Sequence, residues 1–321
     1  MSDDSILVEL DDVQHRFGHA EVLRGVSFQV RQGEVLGFLG PNGAGKSTTM
    51  NILTGALSPT AGTVRVCGFD LLREPLAVKR RLGYLPEIPP LYRDLTVDEY
   101  LRFCARLRGI SRDALGRALE QAKRRTGLVK MSRRLIGQLS KGYQQRVGIA
   151  QAIIHDPAVV VLDEPTVGLD PLQIQEIRDL ISELGARHSV ILSTHILSEV
   201  QAICSHVQII DRGQLVLAAP IAELGGRMAA QVLVIGLSRP PAEDRLRALP
   251  EVSRVEALDD GRWLLELAPD VVGGSAGAAE RIAASAVADN WGLRELSPRR
   301  ASLEEIFTRL VSDQPARSAA A

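Results

Sequence analysis

The eight residues from Gly40 to Ser47, Gly-Pro-Asn-Gly-Ala-Gly-Lys-Ser, constrain the fold of this chain more than any other stretch. They match the pattern G-x-x-x-x-G-K-[ST], a loop that cradles phosphate groups between a strand and a helix. The preceding residues, Glu34–Leu39, form a short apolar run that predicts a buried strand. The following residues, Ser47–Leu53, predict a helix that ends near Gly55. The motif therefore has the strand–loop–helix context that it requires, and it predicts a phosphate-binding site.

The residue types of this loop suit phosphate and a magnesium ion. Glycine lets backbone N–H groups turn towards phosphates without a Cβ atom in the way, and the helix N-terminus adds the positive end of its dipole. Lys46 is placed to reach the terminal phosphates, and the Ser47 hydroxyl to bind Mg²⁺. The alternative, a glycine-rich turn with a solvated lysine, is disfavoured by the flanking strand and helix. The nucleotide-binding residues predicted here are Gly40, Pro41, Asn42, Gly43, Ala44, Gly45, Lys46, Ser47 and Thr48.

The composition is that of a globular protein with a full core. Of 321 residues, 45% are hydrophobic and 24% are charged, and the length suits one large and one small domain. The formal net charge is −1 and no long basic run occurs, so charge gives no case for nucleic-acid binding. Cys67, Cys104 and Cys204 are far apart, which argues against a disulfide framework or a zinc site and suits a reducing cytosol.

Nothing in the sequence predicts insertion into a membrane. The first five residues are acidic and lack the apolar region of a signal peptide. The apolar runs, such as Ala158–Leu162, have the length of strands and fall short of the roughly 18 residues of a membrane span. If this protein works at a membrane, we expect it to do so through a partner.

Acidic residues and a histidine follow two predicted strands. Ala158–Leu162 runs directly into Asp163 and Glu164, and the predicted strand Ser189–His195 ends in a histidine. Active sites of parallel sheets lie at the carboxyl ends of the strands. We therefore interpret the two acids as ligands or bases rather than as salt-bridge partners. A lone histidine is usually a satisfied polar group, but the end of a neighbouring strand favours a functional role.

Three helix starts carry capping residues. Thr96 and Glu99 form a capping box. Ser140 is a natural N-cap for the helix that follows Leu139. Asp170 suits the N-cap of a further helix, with Pro171 in the first helical position.

One aromatic residue lies just upstream of the phosphate-binding loop. Ile6–Leu10 and Val22–Val30 predict strands, and Arg16-Phe17-Gly18 predicts a turn between them. Phe17 could fill the core, and its position also makes stacking on a nucleotide base plausible.

The last third of the chain predicts a small separate domain. Residues 218–230 are rich in Ala and Gly and mark a boundary. The order beyond it is β-α-β-β-α-β, as in ferredoxin-like folds. A final helix begins with a capping box at Ser302 and Glu305, and the tail over 312–321 is predicted to be disordered. The predicted strands cover 231–237, 252–258, 262–267 and 291–296, and the predicted helices 241–249 and 276–290.

Together these motifs resemble the ATP-binding subunit of an ABC transporter. The resemblance implies an α/β fold in which a P-loop NTPase (RecA-like) ABC ATPase core covers residues 6–220. It includes a helical subdomain over about 88–155, and a small α+β ferredoxin-like accessory domain covers 231–311. The matching motifs, in the order of the family, are Phe17 (aromatic loop), Gly40–Ser47 (Walker A), Leu139–Arg146 (signature), Val159–Glu164 (Walker B), Gly168–Asp170 (D-loop) and His195 (switch histidine).

The resemblance assigns roles to these residues. ATP is held between two subunits, and because each chain has one copy of each motif, a second ATPase copy is required, in a homodimer. Asp163 and Ser47 hold Mg²⁺, Glu164 is the general base, and His195 contacts the γ-phosphate. The residues implied to reach the ATP of the partner subunit, or to lie beside it, are Ser140, Gly142, Tyr143, Gln144 and Asp170.

Glu87 departs from the family pattern, which has glutamine there. A carboxylate can approach Mg²⁺, so Glu87 is a candidate ligand of both ATP and Mg²⁺; the alternative is a solvated loop acid. Ile88–Leu107 would then be the surface that receives the membrane partner. Its apolar residues Leu91, Tyr92, Leu95 and Tyr100 could dock a partner helix or form the core of their own subdomain.

More narrowly, the chain is similar to ATPases of the ABC-2 exporter group, including the gliding-motility-associated and multidrug-export branch. That similarity implies an integral-membrane ABC-2-type permease as partner, and a peripheral location on the cytoplasmic face of the inner membrane. The segments that carry it are Gly83–Glu87, Leu91–Val97, Leu139–Tyr143 and Ser302–Phe307.

Two other functions compete with an exporter subunit. A soluble ABC ATPase that acts on ribosomes or in DNA repair usually has two cassettes or long coiled coils, and this chain has neither. A nucleotide-dependent protein that sequesters a drug stays open, because the role of the C-terminal domain cannot be read from its sequence. We expect that domain to be regulatory or to support the dimer.

Overall fold

The structure of the protein is a computed structural model that describes residues 5–223, 232–258, 260–268, 271–272 and 274–299. The chain divides into two compact units, Met1–Ile221 and Ala222–Ala321. The predicted helix start at Ser302 and Glu305 and the tail over 312–321 lie outside the described residues. Within the described ranges, no helix combines the length and the hydrophobicity that a bilayer crossing requires.

The first unit consists of sheets flanked by helices. Its strands are β1 (Ile6–Phe17), β2 (Ala20–Arg31), β3 (Val35–Leu39), β4 (Ala61–Val66), β5 (Phe69–Asp70), β6 (Leu82–Leu85), β7 (Val159–Asp163), β8 (Ser189–Thr194), β9 (His206–Asp211) and β10 (Gln214–Pro220). Its helices are α1 (Lys46–Leu53), α2 (Pro75–Arg81), α3 (Val97–Leu107), α4 (Arg112–Arg125), α5 (Lys141–Ile153), α6 (Pro171–Gly185) and α7 (Leu197–Ile203).

A six-stranded sheet with the order β10-β9-β3-β8-β7-β6 forms the centre of this unit. Its strands are parallel except for β10, which pairs antiparallel with β9. The strands β3, β7 and β8 are buried along their whole length, which explains the apolar runs 159–162 in β7 and 190–192 in β8, since both faces are covered. The carboxyl ends of these three strands lie at one edge of the sheet, and the loops that follow them meet there.

The second sheet of this unit is antiparallel, with the order β2-β1-β4-β5. Its buried hydrophobic residues and part of those of the central sheet belong to one hydrophobic cluster, which includes Val8, Val26, Phe38, Met50 and Val161. The two sheets therefore share a core, and α1 is buried within it.

The strand β1 corrects the sequence-based prediction. It continues to Phe17, whereas we predicted a strand over Ile6–Leu10 and a turn over Arg16–Gly18. The pairing with β2 shifts register between Leu10 and Val13, and Asp12 has a positive φ of 45°. Such a bulge lets a strand continue through polar residues that break its alternation.

The helices α3, α4 and α5 share a separate cluster that includes Leu101, Leu119 and Val147. The predicted capping box at Thr96 is confirmed: its side chain accepts a hydrogen bond from the Glu99 N–H, and the Glu99 side chain accepts one from the Thr96 N–H. Tyr100 is buried in this cluster, and Leu91 and Leu95 pack against it. Of the four apolar residues with two possible roles, these three belong to the core that α3, α4 and α5 share. Tyr92 is 54% exposed.

The second unit contains a four-stranded antiparallel sheet with the order β12-β13-β11-β14. Its core includes Leu233, Leu246, Leu265, Ile282 and Trp291. Over the described residues, one helix follows β11 and one follows β13. The elements are β11 (Val232–Leu237), α8 (Glu243–Arg247), β12 (Val252–Ala257), β13 (Arg262–Leu267), α9 (Gly274–Ala288) and β14 (Leu293–Pro298).

Candidate functional site

The phosphate-binding loop joins the end of β3 to the start of α1. Gly43 and Gly45 have positive φ values of 81° and 110°, which L side chains rarely adopt. A Cβ atom at Gly45 would lie 2.7 Å from Cδ2 of Leu23, and one at Gly40 would overlap the carbonyl oxygen of Ile210. The backbone path of the loop therefore requires these glycines.

Lys46, the first residue of α1, is 6% exposed. Its ammonium group donates to the carbonyl oxygen of Gly40 at 2.8 Å and to that of Pro41 at 3.3 Å. The same Nζ atom lies 3.5 Å from Oε1 of Glu164. The carbonyl groups of the loop thus hold the Lys46 ammonium group in place. It lies beside the carboxylate of Glu164, which belongs to a different part of the chain.

Glu164 and His195 follow the neighbouring strands β7 and β8. The Nδ1 atom of His195 lies 2.9 Å from Oε2 and 3.1 Å from Oε1 of Glu164. Glu164 has a φ of 47°, an uncommon value for a residue other than glycine, and its N–H donates to the carbonyl oxygen of Ser193 at 2.9 Å. The sheet therefore brings together the acid and the histidine that the sequence placed at strand ends.

Asp163, the last residue of β7, is 2% exposed. Burial raises the pKa of its carboxyl group, and the nearby hydroxyls of Ser193 and Ser47 act in the opposite direction. The Oδ1 atom is buried and has no hydrogen-bond partner among the described residues. A carboxylate oxygen without a partner, close to the Ser47 hydroxyl, is a donor set that suits a hard cation.

A magnesium ion fits this arrangement. Among the described residues, no group of three or more His, Cys, Asp or Glu side chains could hold a metal by itself. Mg²⁺ is commonly held by one or two carboxylates together with water and the phosphates of a substrate. Asp163 and Ser47 can supply the protein part of that shell.

A cavity of about 580 Å³ opens over these groups. It brings together most of the predicted loop residues with Phe17, Glu87, Glu164 and His195. Gly40, Pro41 and Ala44 belong to the loop but do not line the cavity. Phe17 is 54% exposed, so it is not core filler. The lining residues are Phe17, Val22, Asn42, Gly43, Gly45, Lys46, Ser47, Thr48, Glu87, Glu164, Val167 and His195.

The residues at the start of α5 do not line this cavity. Ser140 caps the helix and accepts a hydrogen bond from the Tyr143 N–H at 3.4 Å, and both residues are exposed. Gly142 is buried, and a Cβ atom there would lie 2.9 Å from the side chain of Gln173. The amide of Gln144 donates to the carbonyl oxygen of Leu139 in its own chain at 3.0 Å.

Asp170 also lies outside the cavity wall. It caps α6 and accepts a hydrogen bond from the Gln173 N–H at 2.9 Å, as the sequence predicted. A single chain therefore assembles the loop, the two acids and the histidine, but leaves the α5 start and Asp170 apart from them.

Sequence reasoning missed four polar residues close to this site. Ser193, Thr166, Thr194 and Glu199 are all buried, with exposures of 0%, 2%, 0% and 0%. Glu199 carried one usable signal: it is an acid in the short helix α7, whose other buried residues, Leu197 and Val200, are apolar. Its partners are distant in sequence and could not be identified from the pattern alone.

A protein-family model described as "ABC transporter" matches residues 23–167. An uncharacterized ABC transporter ATP-binding protein of Bacillus subtilis (strain 168), YxlF, is 30% identical over 305 residues, which cover 95% of this chain and 99% of that protein.

Two further comparisons agree with this. The Nod factor export ATP-binding protein I of Paraburkholderia xenovorans (strain LB400) is 34% identical over 255 residues, 78% of this chain and 82% of that protein. A solved structure of the ATP-binding subunit of an ABC transporter matches with a TM-score of 0.63 and 32% identity, and covers 69% of this chain and 92% of that one.

Proposed function

The chain belongs to the family of ABC transporter ATP-binding proteins, which makes it an ATPase, and we propose that it powers an ABC-2-type exporter through a separate membrane permease. The observation that carries this proposal is the cavity at the carboxyl edge of the central sheet. It holds Lys46, Glu164 and His195 together, while the α5 start that would complete an ATP site lies elsewhere.

In the proposed site the P-loop binds the phosphates of ATP. Backbone N–H groups of the loop and the Lys46 ammonium contact the β- and γ-phosphates. Phe17, at the rim of the cavity, stacks on the base. Mg²⁺, held by Asp163 and Ser47 with Glu87 nearby, neutralises phosphate charge when it is bound.

Glu164 acts as the general base in this proposal. Its carboxylate positions the attacking water and takes its proton, and the attack is in line with the bond to the leaving group. The Nδ1 atom of His195, at 2.9 Å from Oε2 of Glu164, orients the carboxylate, and the ring reaches the γ-phosphate. Positioning and charge neutralisation supply most of the rate enhancement.

A second copy of the chain completes each ATP site. Ser140 and Tyr143 are exposed at the N-terminus of α5, where backbone N–H groups can bind a γ-phosphate across an interface. In a twofold homodimer the two composite sites are equivalent. Gly142, Gln144 and Asp170 lie in or beside this face and shape it.

The permease is proposed to dock beside Glu87. Ile88, Tyr92 and Leu107 are 81%, 54% and 71% exposed, an apolar set on the surface over Ile88–Leu107 that a partner helix could cover. The segments Gly83–Glu87, Leu91–Val97 and Leu139–Tyr143 favour the ABC-2 group, and one relative is named for export. The resulting location is peripheral, on the cytoplasmic face of the inner membrane.

The second unit is proposed to be a ferredoxin-like accessory domain that supports the dimer or regulates it. Its antiparallel sheet order, β12-β13-β11-β14, with helices after the first and third strands, supports this assignment. Removal of residues 226–321 should change dimerisation, the ATPase rate or transport. A truncated chain that matches the full chain in all three would refute the role.

The experiment that tests the exporter proposal is a pull-down from solubilised membranes with Glu164→Gln protein loaded with ATP, followed by mass identification. We expect one protein with several membrane spans in a stable ratio. The Lys46→Ala chain, which should bind ATP more weakly and turn it over more slowly, is the matched control. Recovery of ribosomes, of nucleic acid or of nothing membranous would favour a soluble ABC ATPase instead.

A further inference from the structure

Glu199 is a buried acid that the proposed mechanism leaves unused. It lies in the first turn of α7 and is 0% exposed. A buried carboxylate is costly unless hydrogen bonds satisfy it. Buried polar groups are as a rule hydrogen-bonded, and the partners of Glu199 indicate what this residue does.

Both carboxylate oxygens of Glu199 accept hydrogen bonds from buried threonines. The Thr166 hydroxyl donates to Oε1 at 2.5 Å, and the Thr194 hydroxyl donates to Oε2 at 2.8 Å. The Thr194 oxygen also accepts a hydrogen bond from the Ile196 N–H at 3.0 Å. One side chain thus links two residues that are 28 positions apart in the sequence.

These two segments carry the proposed catalytic groups. Thr166 is two residues after Glu164, and Thr194 directly precedes His195. The contact between the Glu164 carboxylate and the His195 ring therefore depends on how the two segments are held relative to each other. Glu199 hydrogen-bonds to both segments and is not among the residues that line the cavity.

We propose that Glu199 is a positioning residue that holds the Glu164 turn and the His195 segment in register for ATP hydrolysis. This inference rests on the proposed roles of Glu164 and His195. Both oxygens of Glu199 act as acceptors for threonine hydroxyls, whereas a glutamine amide accepts at one end and donates at the other. Glu199→Gln thus keeps the shape but disturbs one of the two links.

The test measures ATP turnover and nucleotide affinity of the full chain. For Glu199→Gln we expect kcat to fall by about 10- to 100-fold, the scale of a small misplacement of catalytic groups. The dissociation constant for ATP should be unchanged, because Lys46 and the loop are untouched. Thr166→Val and Thr194→Val should lower kcat in the same way, whereas Thr166→Ser and Thr194→Ser, which keep the hydroxyl, should retain it.

The effects of these substitutions on kcat should also be non-additive. Because Thr166 acts through Glu199 in this proposal, Thr166→Val in the Glu199→Gln background should cost less than it does alone. If Glu199 has a purely structural role, the variants should yield less folded protein. The folded fraction should then either keep the wild-type kcat or lose ATP affinity together with kcat. Either result, or a folded Glu199→Gln chain with wild-type kcat, overturns the inference.

Two further comparisons separate a folding defect, or a wrong assignment of Glu164, from failure of the positioning role. If Glu199→Gln does not fold, the comparison of Thr194→Val with Thr194→Ser decides, and equal kcat in these two variants overturns the inference. Glu164→Gln in the same assay tests the proposed mechanism separately. Loss of turnover there, with normal turnover in Glu199→Gln, rejects the positioning role alone, whereas normal turnover in Glu164→Gln rejects the assignment of Glu164.

Discussion

The Nζ atom of Lys46 lies 3.5 Å from Oε1 of Glu164, and the two side chains are only 6% and 7% exposed. The lysine belongs to the helix after β3, and the acid belongs to the turn after β7. The two residues meet because both strands end at the same edge of the central sheet. Buried charges of opposite sign depend on each other, since removing one partner leaves the other uncompensated. The P-loop lysine thus has two proposed roles, as a phosphate ligand and as the counter-charge of the general base.

Lys46→Ala should therefore lose more than phosphate binding. We expect ATP affinity to fall by about 10- to 100-fold, the scale of one charged hydrogen bond, and turnover to fall with it. The melting temperature should drop as well, because Glu164 is left buried without its cation. Titration with ATP, turnover assays and thermal unfolding measure the three effects.

The double variant Lys46→Ala/Glu164→Gln is the matched control for the charge effect. It removes both charges, so it should regain stability relative to Lys46→Ala while staying inactive. Normal ATP affinity and turnover in Lys46→Ala would contradict the placement of the lysine.

Glu164→Gln should separate binding from chemistry. The amide keeps the shape of the side chain but cannot take a proton, so we expect turnover to fall by about 10²- to 10⁴-fold, the scale of general-base loss, with ATP binding retained. Single-turnover hydrolysis and equilibrium binding test this. Glu176→Gln is the control, because that carboxylate pairs with Arg146 at 2.8 Å and is half exposed, outside the cavity. Near-normal hydrolysis by Glu164→Gln would remove Glu164 from its role.

The raised pKa of Asp163 predicts how the Mg²⁺ requirement of the ATPase depends on pH. Burial raises the pKa of this carboxyl group, and only the ionised form binds Mg²⁺. The concentration of Mg²⁺ needed for half-maximal ATPase activity should therefore rise as the pH falls through this raised pKa. Asp163→Asn should need much more Mg²⁺ and lose the pH dependence that belongs to this group. An unchanged magnesium requirement in that variant would argue against Asp163 as a ligand.

The raised pKa of Asp163 also predicts how the stability of the folded protein depends on pH. A raised pKa in the folded state means that folded protein holds this proton more tightly than unfolded protein. The contribution to stability is fully present below the unfolded pKa and is lost as the pH rises through the folded pKa. Without Mg²⁺ at neutral pH, Asp163→Asn should therefore melt at a higher temperature than the wild type, as thermal unfolding at several pH values can show.

The parts of the site that the sequence predicted follow local rules. The P-loop glycines are required by backbone angles such as the φ of 110° at Gly45, and the buried strands β7 and β8 appear in the sequence as the short apolar runs 159–162 and 190–192. Because active sites of parallel sheets lie at the carboxyl ends of the strands, the positions of Glu164 and His195 favoured a functional role for each, and the structure adds their direct contact.

The parts that sequence reasoning missed depend on contacts between distant segments. The full length of β1 depends on a bulge at Asp12 and on pairing with β4, which no local pattern reports. Glu199 belongs to a short helix, and its function in the fold appears only once Thr166 and Thr194 lie beside it. Register and buried hydrogen bonds are properties of the assembled sheet.

Mixing two inactive variants should restore activity if each ATP site is shared between two chains. Lys46→Ala disables the P-loop of its own chain. Ser140→Arg disables the α5 face that a chain offers to its partner, and the exposure of Ser140 leaves room for the larger side chain in the monomer. In a mixed dimer both defects fall in one site, and the other site combines an intact P-loop with an intact α5 face.

Random pairing makes about half of the dimers mixed, each with one of two sites intact, so ATPase activity should recover to roughly one quarter of the wild-type rate. The control mixes Lys46→Ala with a chain that carries both substitutions. No intact site can form there, and the mixture should stay inactive. Sites formed within single chains would give no recovery in either mixture, although dimers form. Recovery in the first mixture alone therefore requires that Ser140 of one chain and Lys46 of the other act on the same ATP.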